Sequence, residues 1–170
     1  MSRLFIYLSI LATLTAVGLK SQAAEIGFEE ACKAEITSAI PGWKLSTPAN
    51  DLAAYAKTKN IQTNIARADF DDDGSKDLAF LVVSPLVGAN AVQYIAVCLN
   101  KSGKTQLHLI KGPSCGDGID VSPKGKEFYN YETNKTGKYP ANGISAYCFE
   151  KAGATYLFQN GIFRRVMDSD

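Results

Sequence analysis

The chain has 170 residues and carries 18 basic against 17 acidic side chains, a balance that excludes the strongly basic face of a nucleic-acid-binding surface. Its length suits one domain with an adequate core, and 46% hydrophobic residues supply the material for it.

The first residues read as an export signal. Met1-Ser2-Arg3 precedes an apolar run over 4–19, and Ser21-Gln22-Ala23-Ala24 places small residues at −3 and −1 of a cut after Ala23. The run is shorter than the ~20 residues of a membrane span. The expectation is a signal peptide over 1–23 and a single domain over 24–170, periplasmic or secreted, with no membrane span after cleavage. Without Arg3 and Lys20 the count becomes 16 basic against 17 acidic.

Apolar residues at Phe28, Ala31, Cys32, Ile36, Ala39 and Ile40 follow helical spacing with one buried face, and Pro41-Gly42 stops that helix. Trp43, the only tryptophan, alternates with Leu45 in a short strand or packed turn and is expected in the core. Pro48-Ala49-Asn50-Asp51 opens a second, shorter helix that packs through Leu52, Ala53, Tyr55 and Ala56. An extended segment is expected over 61–65.

Next comes the densest cluster of charge in the chain, Asp69-Phe70-Asp71-Asp72-Asp73-Gly74-Ser75-Lys76-Asp77, running into Leu78-Ala79-Phe80-Leu81-Val82-Val83. Carboxylates at loop positions 1, 3, 5 and 9 repel one another unless a cation holds them. Ca²⁺ takes six to eight oxygens at about 2.3–2.6 Å, and alternate residues of a tight loop can supply them. Gly74 permits the bend, and the Ser75 carbonyl is the position-7 oxygen. The loop is not an EF-hand: Phe80 stands at position 12, where a bidentate Glu is needed, and the apolar run that follows reads as a buried strand. The unit is therefore strand–calcium loop–strand.

This pattern, D-x-[DN]-x-D-G-x-x-D before an apolar strand, resembles the calcium cassette of FG-GAP (integrin-α-like) repeats. The resemblance covers 68–83 and implies side-chain ligands at Asp69, Asp71, Asp73 and Asp77 and a backbone ligand at Ser75. Those repeats occur in tandem as propeller blades, whereas here one full cassette stands without a repeat, so a propeller is not expected. The partial echo Asp117-Gly118-Ile119-Asp120 reads as a turn. Exported bacterial proteins with one such cassette in a small α+β domain are the better comparison.

Beyond the loop the chain is strand-rich. Ser84-Pro85 ends the first strand, Gly88-Ala89-Asn90 turns, and strands are expected over 92–99 and 105–110. Residues 112–142, rich in glycine, lysine and aromatics, read as a long irregular excursion with one strand near 127–131. Its Phe128, Tyr129, Tyr131 and Tyr139 are the candidate contact surface for a protein or glycan partner in the cell envelope. Strands over 144–150, 155–159 and 162–166 close the chain, the last two joined by Asn160-Gly161 as a type I′ hairpin. The fold class expected is α+β: two N-terminal helices packed on a mainly antiparallel β-sheet.

Four cysteines, Cys32, Cys98, Cys115 and Cys148, in an oxidising compartment predict two disulfides with three possible connectivities. Catalytic patterns are thin. Gly112-Pro113-Ser114-Cys115-Gly116 matches G-x-S-x-G, but the only histidine, His108, precedes the serine and no helix pattern follows. His108 is expected on the solvent side of its strand. The leading expectation is a non-enzymatic, exported calcium-binding domain that serves as a binding module. Its alternatives are an inhibitor or immunity protein against a cell-wall-degrading enzyme, and a hydrolase using unrecognised acidic residues.

Overall fold

The strand after the acidic loop is buried on both faces, and this one fact sets the layering. In the computed structural model, which describes residues 24–48, 50–59, 62–85, 91–112, 116–148 and 153–169, β3 (Asp77–Val83) is buried along nearly its whole length. Successive strand side chains point to opposite faces. Leu78, Phe80 and Val82 accordingly meet Cys32 and Ile36 of helix α1 (24–39) and Ile40 just past its end, with Ala96 and Cys98 beside them. Ala79 and Leu81 face the other way, into a second core with Ile95, Val97, Leu99, Ile119, Ile144 and Tyr156.

The first sheet contains β1 (Lys44–Leu45), β2 (Ile65–Ala68), β3, β4 (Gln93–Lys101) and β5 (Lys104–Lys111), with β1 and β2 both pairing β3. The second runs β11 (Ile162–Ser169), β10 (Gly153–Gln159), β9 (Gly143–Tyr147), β6 (Gly118–Ser122). A separate hairpin, β7 (Glu127–Asn130) with β8 (Lys135–Lys138), lies beside β11, where the Tyr131 N–H donates to the Met167 carbonyl at 2.9 Å. All pairings among the described residues are antiparallel. The sheets meet where the Ile119 N–H donates to the Thr63 carbonyl at 2.7 Å.

The α+β class and the antiparallel pairing are as expected, but there are two packed sheets and not one. The second sheet takes β6 from the segment read as irregular: 117–120, read as a turn, is mostly strand, and β8 is a further strand there. Small side chains hide β6 in the sequence: Gly118 packs so closely that an added Cβ would meet the Tyr147 hydroxyl at 2.6 Å. Gly143 at the start of β9 is as tight, its added Cβ meeting the Thr155 methyl at 2.4 Å. The second helix, α2 (Asn50–Lys59), buries Leu52 and Ala56 but leaves Tyr55 exposed. Trp43 is half-buried against the helix-side core, and its Nε1–H donates to Thr37 Oγ1 at 3.0 Å. The Asn160-Gly161 turn has φ of 53° and 83°, as a type I′ hairpin requires.

Cys32 on α1 is bonded to Cys98 on β4, clamping the helix to the sheet across 66 residues of sequence. Cys148 is also disulfide-bonded. Cys115 and the Ser114 motif position, the 88–90 turn and the expected signal peptide lie outside the described residues. Among the described residues no helix is long and apolar enough to cross a membrane. Because cross-linking so long a loop constrains the unfolded chain, replacing both Cys32 and Cys98 by Ala is expected to lower stability by about 4 kcal/mol in denaturant unfolding.

Candidate metal centre

The acidic loop joins β2 to β3 at the end of the sandwich, and Phe70 fixes it there. Phe70 is fully buried among the side chains of both sheets, which turns its acidic neighbours back toward the loop interior and the solvent. Asp72 and Gly74 take positive φ, 61° and 87°, and close the bend. The second sheet grips the loop from the side: Asn142 Nδ2 donates to the Asp69 carbonyl at 3.0 Å, and Lys124 pairs with Asp72 at 2.7 Å.

One carboxylate oxygen from each of Asp69, Asp71 and Asp77 lies within 4.8 Å of the other two. Oxygens bound to one calcium-sized cation at about 2.3–2.6 Å lie no more than about 5 Å apart, so this spacing matches a shared ion. The loop's own N–H groups orient the ligands. Asp69 accepts from Asp73 at 3.1 Å and from Gly74 at 2.8 Å, and Asp71 Oδ1 accepts from Asp73 at 3.3 Å. Each oxygen that takes one N–H keeps a lone pair for a cation.

Asp71 Oδ2 is the telling atom. The Asp71 side chain is fully buried, and this oxygen accepts no hydrogen bond of ordinary geometry, with only the Lys101 ammonium lying against it as an ion pair. A buried carboxylate beside two others is costly with a single ammonium as its cation, and a divalent ion between Asp69, Asp71 and Asp77 would balance the charge more fully. The residues present therefore fit a metal ion.

Of the five predicted ligands, three converge. Asp73 does not join them: its Oδ1 accepts the Ser75 N–H at 2.8 Å and its Oδ2 lies 3.3 Å from Lys101 Nζ. That backbone hydrogen bond, with Lys101 assisting, holds the Asp73 carboxyl below its ordinary value. Ser75 sits in the loop with its N–H turned to Asp73. Asp77 is the most constrained, fully buried, with Oδ2 accepting from Phe70 N–H at 2.7 Å and Oδ1 from Asn100 N–H at 2.8 Å. Sequence reading missed this second task of Asp77, which staples the loop's start and the end of β4 to the first residue of β3. It also missed Lys101 and Lys124, whose approach depends on strands remote in sequence.

The remaining candidates separate cleanly. Phe128 stacks on Tyr139 with ring centroids 4.5 Å apart, and Tyr139 is buried, its hydroxyl donating to Asp168. Tyr129 and Tyr131 are exposed, edge to face at 5.1 Å. His108 lies between the sheets, not on the solvent side: Phe158 and Phe163 pack edge-on to its ring, and its buried Nε2 has no hydrogen-bond partner among the described residues. Burial, aided by the charge of Lys101, lowers its pKa. A cavity of about 200 Å³ borders the loop between α1 and the sheet, lined by Phe28, Arg67, Asp77 and Asn100 among others.

Comparison with protein-family models, with curated proteins and with solved structures found no match.

Burial, and after it the repulsion from Asp71 and Asp73, outweighs the two N–H bonds and raises the Asp77 pKa from 3.8 to about 6. A raised folded-state value favours the folded protein below about pH 4, and that contribution is lost as pH rises through 6. A carbon-detected NMR titration of metal-free protein is expected to place the Asp77 midpoint near 6, moving down in saturating divalent cation. A midpoint near 4 without metal would show that the carboxylate is not buried as described.

Proposed function

We propose that the chain is an exported, non-enzymatic calcium-binding domain whose single site pins the β2–β3 loop and the seam between the two sheets. The observation that carries this reading is the convergence of one carboxylate oxygen from each of Asp69, Asp71 and Asp77 within 4.8 Å, with the Asp71 and Asp77 side chains buried. Those three carboxylates would hold the ion, with the Ser75 carbonyl as the position-7 oxygen and Asp73 able to join by releasing Lys101. When bound, calcium would supply charge neutralisation and up to eight oxygen contacts, and no chemical step. Asp77 fixes the loop to β4, Phe70 anchors it in the core, and Asn142 and Lys124 tie it to the second sheet. Calcium is favoured over Mg²⁺ because the loop offers several carboxylates, where Mg²⁺ retains most of its waters. The disulfide and the sequence of 1–23 support an oxidising, exported setting, where extracellular modules bind calcium at 10⁻⁴–10⁻³ M.

An ion that binds only the folded state stabilises it by mass action, by about 2.7 kcal/mol at one hundred times Kd. Thermal melting in 10 mM calcium against EDTA is thus expected to show a rise of about 3–10 °C. Asp71→Asn should reduce that rise to about 1 °C or less. An identical melt in both buffers for the unaltered protein would refute the reading.

The exposed Tyr129–Tyr131 pair, on a hairpin tied to β11 by Arg165–Glu132 at 3.0 Å, supports contact with a protein or glycan of the cell envelope. The inhibitor reading is its specific form. Capture of a lysozyme-like enzyme by the immobilised domain is expected, and replacing both tyrosines by Ala should weaken it at least about tenfold. Equal capture by the double variant would remove this surface from the account.

A further inference from the structure

We propose that the Lys101 ammonium is a built-in counter-ion of the acidic loop, competing with calcium for Asp71 and Asp73 and so setting the calcium concentration at which the loop fills. The proposal rests on the calcium reading above and deepens it.

Lys101 is not a freely moving surface lysine. It is the last residue of β4, and the turn Ser102-Gly103 behind it is fixed by φ of 53° and 82°. The residue before it, Asn100, is bound through its N–H to Asp77, so the backbone that carries Lys101 is fastened to the loop itself. From there Nζ pairs with the buried Asp71 Oδ2 and lies 3.3 Å from Asp73 Oδ2, while sitting 5.9 Å from the centre of the Phe158 ring. The contrast with Lys138–Glu127 is direct. That pair is 3.5 Å apart with both side chains about two-thirds exposed, an arrangement worth little. The Asp71 side chain has no exposure at all.

Two of the loop's carboxylates thus already have a cation, but a poor one. The ammonium is a single charge shared between Asp71 and Asp73. A divalent ion placed between Asp69, Asp71 and Asp77 would lie within a few ångströms of Nζ and repel it. Filling the loop therefore displaces Lys101, and Asp73 becomes free to turn inward. Without calcium the lysine keeps the loop folded, and with calcium it raises the concentration needed. Lys124 provides the internal comparison. It pairs with Asp72, which is not among the ligands, so its charge is nearby but competes for no ligand oxygen.

Calorimetric titration of calcium into the unaltered protein, Lys101→Met and Lys124→Met tests this directly. Lys101→Met is expected to bind about tenfold more tightly and to melt lower in EDTA, while Lys124→Met changes affinity by less than about threefold. In the unaltered protein, amine acetylation read by mass spectrometry should rise several-fold at Lys101, and not at Lys124, when calcium replaces EDTA. This second measurement carries the test if Lys101→Met fails to fold. Calcium binding by the unaltered protein with no gain in Lys101→Met, an equal gain in Lys124→Met, or unchanged acetylation at Lys101 would overturn the competition and leave the calcium site standing. Absence of binding in all three proteins would overturn both.

Discussion

Mutual repulsion among the carboxylates of one tight loop is the constraint on which the end of this sandwich depends. Asp69, Asp71 and Asp77 bring oxygens within 4.8 Å of one another, and two of these side chains are withdrawn from water. A chain would not keep such an arrangement for packing alone, since apolar side chains of similar size would fill the same space at less cost. The fold answers the repulsion in three ways: N–H groups of the loop itself, the ammonium of Lys101, and the clasp of Asp77 on Phe70 and Asn100. These leave three carboxylates gathered round one ammonium, an arrangement that a divalent cation would balance more fully.

The loop matters to the rest of the molecule because of where it sits. Its Phe70 is part of the core shared by both sheets, its first carbonyl is held by Asn142, and its Asp72 is held by Lys124. Whatever tightens the loop therefore tightens the junction between the sheets. The opposite face of the first sheet is secured separately, by the Cys32–Cys98 bond and the packing of α1. The disulfide constrains the helix-side core and the charge-balanced loop the core between the sheets.

Local patterns carried much of this fold. The helical spacing of Cys32, Ile36 and Ile40, the apolar run of β3 and the Asn160-Gly161 turn are each decided by neighbours within a few residues, and each is found where the spacing places it. Three strands of the second sheet follow the apolar pattern of 144–150, 155–159 and 162–166, but β6 was illegible because it owes its place to what its glycine lacks: Gly118 fits only because no Cβ is present. The same limit applies at the site. The spacing of Asp69, Asp71 and Asp77 announces a cation loop, but that Lys101 and Asn100 arrive from β4, or that Asp73 turns to Ser75 and Lys101, depends on strand register. Tyr139 is an aromatic whose neighbours suggest a surface, yet its hydroxyl is buried among Thr155 and Asp168.

The central claim is that a single cation belongs between three specific carboxylates at the seam of the two sheets. Anomalous scattering from crystals grown in calcium, with data also collected from crystals in EDTA, tests it most directly. The account predicts one peak within about 2.3–2.6 Å of oxygens from Asp69, Asp71 and Asp77, absent in EDTA. An ordered loop in saturating calcium with no peak there, and Asp71 still facing only Lys101, would contradict it.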